Sequence, residues 1–132
     1  MTIRGELTIS QDDASRNSDN LAKVRAMTSA SILVKIIDLA GSQVEVEKLL
    51  TMIYEAHKNY GIHLYDFYHE DDGKITSQEF WEDLAQIISS GYAKDHHSTL
   101  GVTLTERGKE FSDWLYVDES LLTNLKKITA TR

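Results

Sequence analysis

The sequence predicts a mostly helical α+β domain, and three observations carry that expectation. Apolar residues recur at three- and four-residue spacings in several stretches that end at a glycine. A later stretch runs as two β-rich segments around Ser98-Thr99, the pattern of a hairpin. Proline is absent, so glycines supply the punctuation.

In chain order, residues 10 to 20 (SQDDASRNSDN) hold no apolar residue larger than alanine. With the rest of residues 1 to 27 they are read as a partly disordered N-terminal arm, in which Ile3, Leu7 and Ile9 suit a short strand-like segment. Leu21, Val24, Ser31, Ile32, Ile36 and Leu39 fit one helical stripe that stops at Gly41. The β-branched run around Ile36 also allows a strand, but the length and the glycine favour a helix.

Ser42 with Glu45 reads as a capping box opening a second helix, on which Val46, Leu49, Leu50, Ile53, Tyr54, His57 and Tyr60 recur until Gly61. Ile62 to His69 suits a short strand or an extended connection, and Glu70 to Gly73 a turn. Thr76 with Glu79 reads as another capping box, and Phe80, Leu84, Ile87 and Ile88 form one face of a third helix that stops at Gly91. Tyr92 to His97 and Leu100 to Leu104 are the hairpin strands, and Thr105 caps a helix carrying Phe111, Trp114 and Leu115. Helical spacing continues through Leu121, Leu122, Leu125 and Ile128 after a break at Asp118. The aromatic residues are assigned mostly to the core, with Trp81 as the partly exposed exception.

A chain of 132 residues suits one domain rather than two cores. No apolar run approaches the roughly 18 residues that span a bilayer, and the start, MTIRGELTIS, lacks the apolar core of a secretory signal, so a cytoplasmic protein is expected. The absence of cysteine excludes a disulfide framework, a thiolate nucleophile and cysteine-ligated zinc. A net charge of -7 opposes approach to nucleic acid or anionic lipid, and the fourteen Lys and Arg residues are scattered rather than gathered into a docking strip.

Asp71 to Phe80, DDGKITSQEF, resembles the second half of an EF-hand loop. With Gly73 at loop position 6, however, Tyr68 takes position 1, where a carboxylate is needed. A degenerate calcium binder is therefore only a minor alternative to a turn followed by a capped helix. His57, His63, His69, His96 and His97 are dispersed, and adjacent strand residues such as His96 and His97 face opposite sides, so no metal and no cofactor are expected. His57 falls on the apolar stripe of its helix and is read as a core residue. No phosphate-cradling glycine loop, H-E-x-x-H or G-x-S-x-G is present, and the expectation is a protein that is not an enzyme, with no catalytic residues.

The order helix, helix, short strand, helix ending in SSGY, hairpin, then LTERGKEF resembles a winged helix-turn-helix with a two-stranded wing and a C-terminal helical extension. The likeness covers residues 30 to 116 and is strongest to YwgA-like and PadR-like prokaryotic winged helices. It is carried by Gly91-Tyr92 opening the wing and by Leu104, Thr105 and Gly108 closing it. It implies a domain over residues 28 to 117 and a C-terminal helix over 118 to 132 that serves dimerisation or docking.

In a DNA-reading member the third helix enters the major groove, where cations and amides contact the duplex. Thr76 to Ser89 contains no Lys or Arg. Gln78, Trp81, Glu82, Asp83 and Gln86 are therefore expected to bind a protein partner. Lys94, His96, His97 and Lys109 offer only a thin patch for DNA on or near the wing. The favoured expectation is an adaptor or regulatory subunit that docks a protein partner within a nucleic-acid-linked complex. The alternative is a homodimeric DNA-binding transcription regulator; neither requires a membrane.

Overall fold

Thr28 opens the fold as a helix cap, its hydroxyl oxygen accepting from the Ser31 amide at 3.3 Å. The computed structural model describes residues 28–96 and 100–130. The expected arm, Leu21 and Val24 of the first stripe, His97 and the Ser98-Thr99 turn lie outside the described residues. In chain order the elements are α1 (Ser29–Leu39), β1 (Gln43–Glu45), α2 (Val46–Tyr60), β2 (Tyr68–His69), β3 (Ile75–Thr76), α3 (Gln78–Ser89), β4 (Ala93–His96), β5 (Gly101–Leu104), α4 (Glu106–Trp114) and α5 (Glu119–Ala130). Among the described residues the chain is thus mostly helical, with small antiparallel sheets, as the apolar spacing predicts.

α1 is central. Ile32, Leu33, Val34, Ile36 and Ile37 are buried on nearly every side of it, and it touches α3, α4, α5, β1 and β5. A helix apolar all round can only be stable when surrounded. Its two charged side chains are used internally. Lys35 Nζ donates to the Ser112 carbonyl at 2.6 Å, and Ser112 Oγ donates to Asp38 Oδ2 at 2.7 Å, tying α1 to α4.

The three-stranded sheet has the order β1-β5-β4, antiparallel throughout, with Val44 opposite Val102 and Val102 opposite Asp95. β1 is one element that local patterning misses. The expected Ser42–Glu45 capping box does not form, because Ser42 lies at φ 67 just after Gly41 at φ 104 and its carbonyl accepts from the Leu104 amide. Gln43–Glu45 consequently pairs with β5 as a strand, and α2 starts without a side-chain cap.

The Thr76–Glu79 box is likewise replaced. Ser77 is the cap of α3, accepting from the Phe80 amide, while Thr76 belongs to β3. Thr76 Oγ1 accepts from Trp81 Nε1 at 3.0 Å, and Glu79 Oε1 accepts from the Asp66 amide at 2.7 Å. The DDGK segment is the turn of the β2–β3 hairpin, where Gly73 N donates to the Glu70 carbonyl and Lys74 N to Asp72 Oδ1. Of the stretch Ile62 to His69, only Tyr68–His69 is strand.

α3 ends as its glycine predicts. Gly91, at φ 85, lets the Tyr92 amide reach the Ile87 carbonyl and its own amide the Ile88 carbonyl, the paired closure of a Schellman motif. The LTERG segment has an equally direct reason. Thr105 Oγ1 caps α4 by accepting from Gly108 N and donates to the Gly91 carbonyl at 2.6 Å. A Cβ on Gly108 would stand 2.1 Å from the Tyr92 carbonyl oxygen, so only glycine lets α4 close against the hairpin.

α5 completes the same core, burying Leu125 and Ile128 against α1 and α2 after Asp118 caps its start. Two assignments change. His57 is exposed on α2 and lies beside His63, with Nδ1 atoms 3.2 Å apart. Among the aromatics, Tyr65 and Phe80 are buried, whereas Tyr60, Tyr68, Trp114 and Tyr116 are exposed along with Trp81.

Candidate interaction surface

α3 has two working flanks, and the residues expected to act together are divided between them. On one flank, Asp83 is turned inward. Its Oδ2 accepts from Tyr65 OH at 2.8 Å and from Ser29 Oγ at 2.5 Å, joining α3 to α1 and to the connection after α2. Burial, followed by the neighbouring Asp83, pushes the Tyr65 phenol well above its ordinary value, so it stays a hydrogen-bond donor. Asp83 is therefore an internal acceptor and not a free surface contact as its sequence position suggests. Gln86 is exposed but borders a separate cavity of about 200 Å³ with Thr28, Ser31, Tyr92 and Phe111.

The opposite flank faces the sheet. Trp81, Leu84, Ala85 and Ile88 line a groove of about 460 Å³ completed by Val46 and Glu47 of α2 and by Asp95, Leu100 and Val102 of the hairpin. Its lining is mostly apolar, and among the described residues its charged members are two carboxylates, Glu47 and Asp95, with no Lys or Arg. Trp81 stands at the edge, 46% exposed, held by its bond to Thr76 and an edge-on contact with Phe80 at 5.1 Å. A pre-oriented aromatic side chain loses little freedom on binding, which is what an anchor needs.

Leu100 was not singled out by sequence reasoning, yet among the described residues it is the most exposed large apolar one, at 73%. Its φ of 52 lies in the left-handed region, a conformation that costs a branched residue on the order of 1–3 kcal/mol. The Val46 amide, the first of α2, donates to the Leu100 carbonyl at 3.0 Å and fixes Leu100 at the groove. Leu104 and Leu121 look equally apolar in the sequence; only the hairpin geometry distinguishes Leu100.

Gln78 and Glu82 bond to each other at 3.0 Å on the outward surface beside Trp81. Lys94 and His96 are exposed on β4, on the face opposite Asp95, because successive strand residues alternate. Lys109 is exposed on α4. Lys94 and His96 thus turn away from the groove. A second aromatic surface, also unanticipated, lies beside α4: Tyr92, Phe111 and Trp114 follow one another as tilted ring pairs at 5.1 and 5.8 Å, with Arg107 lying 4.7 Å over Tyr92.

Among the described residues no three His, Asp or Glu side chains converge as a metal site, and no helix is long and apolar enough to cross a membrane. Comparison of the chain with protein-family models, curated proteins and solved structures finds no match. The functional reading therefore stands on the groove and on α3 alone.

Proposed function

We propose that this chain is a non-enzymatic winged-helix interaction module, an adaptor or regulatory subunit that docks a protein partner through α3 and the groove beside it. The winged-helix reading is supported by the order α1, β1, α2, α3 and then the β4–β5 hairpin, with β1 adding to the hairpin to give the sheet order β1-β5-β4.

One observation carries the functional reading. The exposed side of α3 presents Gln78, Trp81, Glu82 and an apolar groove with a carboxylate rim, and the helix contains no cation. Against a duplex, Glu82 would meet phosphates, and that repulsion opposes the association that counterion release drives. An apolar groove beside a fixed tryptophan instead suits a protein side chain.

The competing reading, a dimeric DNA-binding regulator, would use the C-terminal helix as its interface. Leu125 and Ile128, the inward residues of that helix, already belong to the protomer's own core.

Fluorescence anisotropy of a labelled mixed-sequence duplex, from about 50 to 200 mM salt, tests the choice. The expected result is no saturable binding at any salt. Binding that weakens steeply with salt would overturn the adaptor reading.

A further inference from the structure

We infer that the groove between α3 and the hairpin takes a cationic amphipathic segment of the partner, a short helix presenting a bulky apolar side chain flanked by Lys or Arg. This rests on the docking reading above and adds the chemical class of the partner.

Three features converge. The floor, formed by Ala85, Ile88, Val46 and Val102, is apolar and has room for one large side chain or two smaller ones. Trp81 and Leu100 rise on two sides of it, each fixed by a hydrogen bond to its own residue, one through the indole and one through the backbone carbonyl. Glu47 from α2 and Asp95 from β4 supply negative charge in the lining, and Glu82 adds another carboxylate next to Trp81.

Asp95 reaches the groove because it pairs with Val102 across the hairpin, on the face toward α3, while Lys94 is carried to the other face by the same alternation. The net charge of -7 draws a cationic ligand in from a distance, and the local carboxylates set its register. An acidic or phosphorylated segment would meet repulsion at both edges.

The test uses two labelled helical peptides of about 18 residues, five turns, with the same leucine spacing and with Lys or Glu at every flanking position. Anisotropy is read against the full chain. The Lys peptide is expected to bind saturably and the Glu peptide not to bind.

Affinity for the Lys peptide should fall roughly tenfold or more in Leu100→Ser, whose side chain is mostly in solvent, and in Trp81→Ala. Glu47→Lys combined with Asp95→Lys should reverse the preference between the peptides. Equal binding of both peptides would overturn the cationic class while leaving a docking groove. Lys-peptide binding unchanged in every variant would mean adhesion to the acidic surface at large and would overturn the site. Binding of neither peptide would overturn the inference as well. Failure of the docking reading itself shows separately, as salt-dependent association with DNA.

Discussion

Asp83 accepts two hydroxyl hydrogen bonds inside the fold, so losing either end leaves a partner without its bond. Tyr65→Phe removes one donor and should lower stability by about 1–2 kcal/mol in urea denaturation. Asp83→Lys should cost more than about 2 kcal/mol, because it sets a cation against the buried phenol and Ser29. The same phenol gives a pH signature. Its folded pKa lies above the unfolded value near 10, so its contribution is complete below that pH and is lost as pH rises further. Above pH 10 the wild type should lose stability relative to Tyr65→Phe by about 1.4 kcal/mol per pH unit; parallel curves would refute the internal role of Tyr65. None of this was legible in the sequence. Asp83 is one of several carboxylates in an acidic helix, and only the placement of Tyr65 on the same flank marks it as internal. Trp81 was legible as exposed because its neighbour Phe80 takes the apolar position of the helix.

At the scale of elements, closure of α4 on the hairpin depends on one missing methyl group. Gly108→Ala places a Cβ against the Tyr92 carbonyl and, since backbone must shift, should destabilise by more than about 2 kcal/mol without altering helix propensity unfavourably. Thermal unfolding checks this, and a variant as stable as the wild type would show that α4 can slide. Helices were readable where their signals are local, as with Thr105 and with the glycine stops at Gly41 and Gly91. The two capping boxes misled because Ser42 and Thr76 have other duties. Ser42 follows Gly41 into a left-handed turn, and Thr76 pairs in β3 and holds the tryptophan indole. β1 is only three residues long and becomes a strand because β5, far along the chain, supplies its partner. His57 shows the same limit: the core-facing stripe of α2 ends at Ala56, so the next apolar-spaced position emerges into solvent.

For the whole molecule, the C-terminal helix is part of one core with α1 and α2. Truncation after Val117 removes Leu125, which is wholly buried, and Ile128, so the shortened chain should lose its cooperative thermal transition. A truncated chain that melts cooperatively near the wild-type temperature would show α5 to be an appendage. The acidic balance of the chain, together with a cation-free α3, supports the proposal that the exposed surface meets protein rather than nucleic acid.

Photocrosslinking tests that central claim most directly, with benzoylphenylalanine placed at position 78, beside Trp81, and, separately, at 114 in the full chain in its native cells. The expected result is a protease-sensitive, nuclease-resistant adduct from position 78 that disappears when Glu47 and Asp95 are both changed to Lys. A nuclease-sensitive adduct, or protein adducts from position 114 alone, would contradict the α3 groove as the docking surface.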